Sequence, residues 1–279
     1  MMSRTGRFTN RNGFTLIELV VVIVIAGIIA AIGGGLIVKP MTGYVDLARR
    51  TRLVDQAEMA LRRMQRDVRQ ALPNSVRIAG GGQYLELLHT VDGGRYRAQD
   101  DPSTVPVEDV FDFSAIDNGF DVLGNLRAVP ATGSELVVYN IAASGPTGNA
   151  YQSAATTDNV ATVAAGSTQS HVNMTQTNPF ANSSPYQRFF VLDGPVTYAC
   201  EGLPNGVLNR YSGYSKSAGQ ATPPVGGTVS LVTRNVNSCQ FIYNPGASQR
   251  AGLITLELTL DEAGETITLL HQVHVVNAP

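Results

Sequence analysis

Along the first seventy residues, the spacing of apolar side chains predicts two successive helical segments of different kinds. Residues 14–38 carry no charge except that of Glu18, in a run of 25 residues. As an α-helix this run would be about 37 Å long, which is enough to cross the hydrocarbon core of a bilayer. We therefore predict a transmembrane helix over residues 14–38.

Residues 39–72 are amphipathic and predict a stem helix. The apolar positions are three or four residues apart on one face: Val54, Ala57, Leu61, Met64, Val68 and Ala71. The charged face offers two i,i+4 pairs, Glu58 with Arg62 and Arg63 with Asp67. Such a stripe needs an apolar surface to cover, and Pro73 is expected to end the helix.

Residues 73–279 lose the helical period and show short runs typical of strands. These runs are 84–89, 135–140, 188–192, 196–200, 239–243, 253–260 and 266–276. The last two flank the turn 261–264 and predict a β-hairpin. The segment 142–187 is rich in Ser, Thr, Asn, Gly and Ala, which indicates either a long surface excursion or weak strands. We expect one β-rich head over residues 73–279, with an antiparallel sheet.

The charges predict how the chain is oriented in a membrane. Residues 1–13 contain Arg4, Arg7 and Arg11 and no acid. Because positive residues stay on the cytoplasmic side, we expect a cytoplasmic N-terminus and a chain that lies outside after Lys39. A conventional secretory signal is the alternative, but the apolar run is too long and no A-x-A-like cleavage site follows it.

The charges also argue against nucleic acid as a partner. Residues 73–279 carry nine basic and seventeen acidic side chains, a net charge of −8, whereas residues 39–72 carry eight and four, a net charge of +4. A phosphate backbone needs clustered Lys and Arg. In the arginine-rich stretch 49–69 acids are interleaved, so a solvated or subunit-facing helix surface is favoured over a nucleic-acid or acidic-lipid site.

Cys200 and Cys239 are the only two cysteines. In an exported head they would close a loop of about forty residues and stabilise it by about 3–4 kcal/mol. The alternative is a pair of buried free thiols in a cytosolic protein. A zinc site is disfavoured because the sequence has no CxxC motif and no nearby His pair.

Catalytic motifs of the GxSxG, HExxH and P-loop types are absent from the sequence. His271 and His274 resemble a ligand pair, but residues three apart in a strand point to opposite faces. An acidic segment contains Asp112, Asp117, Asn118 and Asp121, with a spacing unlike that of an EF-hand. A solvated turn is favoured there and calcium is the alternative. We expect no enzyme activity, no cofactor and no metal.

The beginning of the apolar run has a more specific pattern. Gly13, Phe14 and Glu18 follow a basic leader and precede a Val/Ile-rich helix, and in this the chain resembles the type IV prepilin family. The resemblance implies an α+β fold, with a long N-terminal helix, first transmembrane and then amphipathic, packed on an antiparallel sheet. It also implies that a prepilin peptidase cuts after Gly13 and N-methylates Phe14, so that the leader 1–13 is lost.

In that family the glutamate corresponding to Glu18 pairs with the N-terminal amine of a neighbouring subunit. The alternative is an interfacial carboxylate that reaches the headgroups. Gly33, Gly34 and Gly35 imply a weak point in the helix, suited to stretching or to close helix packing. Pro40 lies farther along the chain than the kink-forming proline of many family members.

Other segments, 49–55, 60–69, 72–75, 194–200 and 269–277, resemble the large O-type minor pilins of mannose-sensitive haemagglutinin pili. The resemblance implies a low-copy pilus subunit in the inner membrane, with its head in the periplasm and later at the cell surface. Its partners would be prepilin peptidase, major and minor pilins, and the inner-membrane assembly platform. A pseudopilin of a type II secretion system shares the N-terminal pattern and is the alternative. A membrane-anchored enzyme is disfavoured by the absent catalytic motifs. For an adhesive or DNA-capturing tip protein, the acidic head disfavours DNA but leaves glycans or surfaces open as ligands.

Overall fold

The computed structural model describes residues 13–101, 103, 107–152, 156, 158–246 and 251–277, without the side chains of residues 33–42. The leader predicted over residues 1–13 lies outside this part except for Gly13. The chain divides into two compact units, Met1–Thr51 and Arg52–Pro279.

One helix, α1, extends from Leu16 to Arg69 and crosses the boundary between the units. In the first unit its apolar side chains are exposed, among them Ile17, Ile23 and Ile29. Within the part of the chain that the structure describes, no helix is both long enough and apolar enough to cross a membrane. The predicted weak point at Gly33, Gly34 and Gly35 and the position of Pro40 fall among residues 33–42, whose side chains lie outside the description.

In the second unit, α1 buries one stripe against the sheet. The buried side chains are Leu53, Ala57, Ala60, Leu61, Met64 and Val68. The prediction that the stripe begins at Val54 is wrong, since Val54 is 37% exposed and Leu53 is fully buried. Successive helical residues point about 100° apart, so a stripe defined by Ala57, Leu61 and Met64 reaches Leu53 four residues earlier.

The helix ends at Arg69, three residues before the predicted end at residue 72. The chain then turns into the sheet, where the Leu72 amide donates to the Leu88 carbonyl at 2.8 Å and Ala71 bridges His89. The helix therefore ends before it reaches Pro73, because the backbone groups of residues 71 and 72 are satisfied by pairing with a strand.

The second unit contains eleven strands among its described residues. Their bounds are β1 Arg77–Ala79, β2 Tyr84–Arg95, β3 Gly119–Asp121, β4 Glu135–Val138, β5 Val160–Val163, β6 His171–Thr175, β7 Arg188–Glu201, β8 Gly206–Ser212, β9 Thr228–Asn244, β10 Gly252–Glu262 and β11 Glu265–Val275. They are hydrogen-bonded in the order β11-β10-β9-β8-β7-β4-β5-β6-β3, and β2 pairs with β1 and β7. The neighbours pair antiparallel, which confirms the predicted α+β fold.

Strand β7 occupies the centre of the sheet. On one side, the first half of β7 pairs with β4 and the second half with β8. On the other side, β2 pairs with both halves. The two strands predicted at 188–192 and 196–200 are thus one strand. Gly194, at a φ of +118°, lies at the change of partner, where the register with β2 also shifts.

The predicted C-terminal hairpin is confirmed, with a tighter turn than expected. Strands β10 and β11 pair over eleven residues without a register shift. Only Ala263 and Gly264 connect them, both at positive φ. A two-residue turn in which both residues have a left-handed backbone conformation matches the right-handed twist of the flanking strands.

The segment 142–187 follows the second of the two predicted alternatives, weak strands. It contains β5 and β6, of four and five residues. Its Val160, Val172 and Phe180 are buried in the head. Part of this segment therefore belongs to the core, and the short strands explain why its apolar period is hard to detect.

The core has two main parts. One joins the stripe of α1 to inward-facing residues of β2, β7, β9, β10 and β11. The other is an aromatic cluster of Tyr96, Phe111, Phe120, Phe180 and Phe189. Phe111 stacks on Phe120 with ring centroids 4.7 Å apart, an arrangement that stabilises by about 0.5–1.5 kcal/mol beyond burial. The helix is thus anchored to one region of the sheet, while aromatic rings hold the other.

Candidate processing and assembly site

The peptide bond between Gly13 and Phe14 lies in an open position just before α1. A β-carbon added at Gly13 would meet no atom within 4 Å, and Phe14 is 80% exposed. The residues that begin the helix, Leu16 onward, come only three positions later. The described surroundings therefore leave the peptide bond accessible to a protease.

The first turn of α1 is closed by reciprocal bonds between Thr15 and Glu18. The Glu18 amide donates to Thr15 Oγ1 at 3.3 Å. In return, Glu18 Oε2 accepts from the Thr15 amide at 3.3 Å and from Thr15 Oγ1 at 3.2 Å. This is a capping box, in which each residue satisfies an unpaired amide of the helix start.

The capping box places the Glu18 carboxylate at the N-terminal end of the helix. A negative charge is favourable there because the helix dipole is positive at that end. Glu18 was predicted as a site residue and Thr15 was not, although the Thr-x-x-Glu spacing is a recognised signal of a helix start. The geometry thus fixes the carboxylate within one turn of Phe14.

A second polar cluster ties α1 to the sheet through Asp67. Asp67 Oδ2 accepts from Arg210 Nε at 2.7 Å and from the Tyr198 hydroxyl at 2.9 Å. Burial, together with the adjacent Asp67, raises the pKa of Tyr198. Burial tends to lower the pKa of Arg210, but the bond to Asp67 outweighs it and leaves this pKa raised. The cluster is therefore a buried, charge-assisted contact.

Of the two ion pairs predicted on the helix, the structure forms one. Arg62 Nε lies 2.7 Å from Glu58 Oε1, as predicted. Asp67 binds Arg210 in the sheet instead of its helical neighbour Arg63, so that pairing was wrong. An intrahelical ion pair stabilises by only a few tenths of a kcal/mol, and a partly buried bond to the sheet outweighs it.

Cys200 and Cys239 form a disulfide in the structure. Cys200 lies in β7 and Cys239 in β9, the strands on either side of β8. Both side chains are buried. The bond therefore links strands that have no shared backbone ladder over this stretch.

His271 and His274 point to opposite faces of β11, as predicted. Nε2 of the partly buried His271 lies 3.1 Å from Glu58 Oε2, whereas the side chain of His274 is exposed. In the acidic segment, Asp112 accepts bonds from the amide and hydroxyl of Ser114. Among the described residues, no group of three or more His, Cys, Asp or Glu side chains could hold a metal ion.

Comparison with known proteins bears on the N-terminal region alone. A family profile, the prokaryotic N-terminal methylation motif, matches residues 8–34. No curated protein and no solved structure matches the chain. The matched stretch includes Gly13, Phe14 and the Thr15–Glu18 capping box. The motif supports a type IV pilin-like or pseudopilin-like protein that is processed by prepilin peptidase and assembles with other pilins.

Proposed function

We propose that the chain is a minor pilin of a type IV pilus of the mannose-sensitive haemagglutinin type, and that it takes part in pilus assembly. The observation that carries the proposal is the methylation motif at residues 8–34, at the exposed start of a helix. The α+β head agrees with this function, and so do the segments that resemble O-type minor pilins. The role proposed is structural rather than enzymatic.

The processing step would remove the leader, residues 1–13, by cleavage after Gly13. Prepilin peptidase would then methylate the new amine of Phe14. The apolar residues 14–38 would remain on the mature chain as its single membrane anchor and as its assembly helix. The head would face the periplasm, because the arginines of the leader keep the N-terminus cytoplasmic, and would later be displayed on the pilus.

Glu18 would direct assembly through its charge. Its carboxylate is held at the helix start by Thr15, with Oε2 engaged in the capping box. An amine on Phe14 of a neighbouring subunit would neutralise it in surroundings where an isolated charge is unfavourable. The platform in the inner membrane and the major and minor pilins would be the other partners.

A pseudopilin of a type II secretion system is the second candidate. The methylation motif, residues 8–34, is common to both classes. Immunogold labelling of sheared filaments distinguishes them: a pilus subunit is labelled on surface fibres, whereas a pseudopilin is retained in the envelope. Secretion of folded exoproteins in a deletion strain provides the complementary measurement.

N-terminal mass spectrometry of the membrane-extracted chain tests the processing step. We expect a mature protein that begins at Phe14 with a methylated amine and lacks residues 1–13. The same strain without prepilin peptidase should retain the whole leader. An intact leader in the wild-type strain, or a cut beyond residue 38, would contradict the proposal.

A further inference from the structure

A groove in the head unit combines arginines with exposed apolar side chains. It has a volume of about 560 Å³ and lies between α1 and strand β9. Its lining includes Arg52, Met59, Arg63, Leu231, Arg234 and Glu262. We call this the arginine groove.

The positive charge of the groove is only partly neutralised within the chain. Arg52 binds Glu262 at 2.6 Å. Neither Arg63 nor Arg234 forms an ion pair with a described residue. Guanidinium groups bind carboxylates with two parallel hydrogen bonds. The groove is therefore suited to an acidic occupant.

The groove also has an apolar component. Met59 is 64% exposed and Leu231 is 44% exposed. Arginine and methionine are enriched at protein interfaces, and burial of such apolar side chains accounts for much of the binding energy. A suitable occupant would therefore present carboxylates and apolar side chains together.

This chain contains such a segment in its own head. Residues 107–121, the acidic segment, carry five Asp and Glu and no Lys or Arg. One of these acids, Glu108, already pairs with Arg97 at 2.6 Å. Its Val107 and Ile116 are apolar and more than half exposed. The exposed Asp109 and Asp112 lie between them. The segment thus matches the groove in both charge and apolar character.

The acidic segment also has an electrostatic reason to bind a cation. Burial and the neighbouring Asp117 raise the pKa of Asp109, which means that the carboxylate is less stable as an anion there than in water. Among the described residues, the basic side chain within 4 Å of Asp109 is that of His171, whose Nε2 lies 3.9 Å from Oδ2. An arginine from another molecule would offset the repulsion between the Asp109 and Asp117 carboxylates.

We infer that the arginine groove of one copy of the chain binds the acidic segment of a second copy. The contact joins two different surfaces, so it leaves one groove and one acidic segment open in the pair. Heterologous contacts of this kind extend into open chains unless the rotation closes them. The inference rests on the proposed function only in that both copies are anchored in one membrane.

Cysteine cross-linking between two differently tagged full-length copies tests the contact. One copy carries Met59→Cys and the other Ile116→Cys, and copper phenanthroline oxidises the two thiols to a disulfide in isolated membranes. We expect a heterodimer that carries both tags. The matched control pairs Met59→Cys with Val129→Cys, an exposed position outside the acidic segment, and should not cross-link.

Charge reversal then identifies the interaction. Arg63→Glu with Arg234→Glu on the Met59→Cys copy should lower the cross-linked fraction at least about tenfold. Adding Asp109→Lys with Asp112→Lys to the other copy should restore it. Arg127→Glu, an exposed arginine outside the groove, is the control that should change nothing. Preserved resistance to protease shows that the variants are folded.

Absence of the heterodimer, or a yield that charge reversal leaves unchanged, would overturn the inference. Cross-linking to a different subunit in place of the second copy would overturn it as well. N-terminal processing at Phe14 and filament entry are measured on the same samples. If these are normal while the heterodimer is absent, the inference fails and the proposed function stands.

Discussion

Residues 16–32 and residues 52–69 belong to the same helix but differ in what surrounds their apolar side chains. In the first stretch, Ile17 and Ile29 are about two thirds exposed, whereas in the second Leu61 and Met64 are fully buried. The second stretch has an apolar stripe matched to a sheet, while the first is apolar on all sides after Glu18. A helix that is apolar all round needs an apolar environment that its own chain does not supply. The comparison indicates that the second stretch serves folding, whereas the exposed first stretch is free for the assembly role proposed above.

The largest effect that separates the two stretches is expected at Glu18. Glu18→Val removes the carboxylate proposed to pair with a neighbour's Phe14 amine, and an unpaired buried charge costs about 3–5 kcal/mol. Entry into sheared filaments should fall about a hundredfold or more, while cleavage after Gly13 persists. Blots of sheared and membrane fractions, with the wild-type machinery present, measure both.

Thr15→Ala is the matched control for Glu18→Val. It breaks the capping box but keeps the carboxylate, so filament entry should fall far less. Wild-type filament levels of the cleaved Glu18→Val chain would reject the pairing and leave Glu18 as an interfacial carboxylate.

The disulfide should be the strongest single stabilising feature of the head. Replacing both Cys200 and Cys239 with Ser opens a loop with a sequence separation of 39, and the free energy of unfolding should fall by about 3–4 kcal/mol. Pulse proteolysis in urea measures this on the detergent-solubilised full chain, which has no tryptophan to report unfolding. If the loss is below about 1 kcal/mol, the head does not depend on this link.

Leu61→Ala tests the folding half of the helix directly. The side chain is fully buried against the sheet, so the free energy of unfolding should fall by about 3 kcal/mol through lost burial and a residual cavity. Ile23→Ala, at an exposed position of the same helix, is the control and should leave urea unfolding of the head unchanged. Equal losses of stability at the two positions would contradict the conclusion that only the second stretch stabilises the head.

Asp67→Asn weakens the charge-assisted bonds to Arg210 and Tyr198. It keeps the size of the side chain but removes its charge beside a partly buried guanidinium, at a cost of about 2 kcal/mol. The same urea experiment gives the value. Adding Arg210→Met to Asp67→Asn should cost less than the sum of the two single changes, because the residues share one interaction. Strict additivity would contradict the contact.

The smallest effect is expected at Glu58. The hydrogen bond from Arg62, followed by the charge of His271, lowers the pKa of Glu58. Its contribution is therefore present above the unfolded pKa and is lost as the pH falls through the lowered folded pKa. Glu58→Gln should cost only a few tenths of a kcal/mol at pH 7, since the pair is largely solvated. The urea midpoints of the wild-type and Glu58→Gln chains should converge in acid. A difference that grows as the pH falls would contradict the lowered pKa of Glu58.

Several features were predictable because they depend on residues close in the chain. The apolar run 14–38, the Gly13–Phe14 junction and the hairpin around Gly264 are local patterns, and each reflects a period or a turn preference that needs no distant partner. The α+β class followed from the change of period near Pro73. The profile match at residues 8–34 lies in the same local region.

Only the tertiary structure decided the features that depend on long-range contacts. The buried stripe begins at Leu53 instead of the predicted Val54, and the two strands predicted at 188–192 and 196–200 form the single strand β7. Residues of β5 and β6 belong to the core. The tertiary structure also gave Asp67 a partner 143 residues away in the chain, because the desolvation of a charge favours a partner in the fold over a solvated neighbour. Local pattern determined which elements form and where the methylation motif lies, whereas packing determined which faces meet and which charges pair.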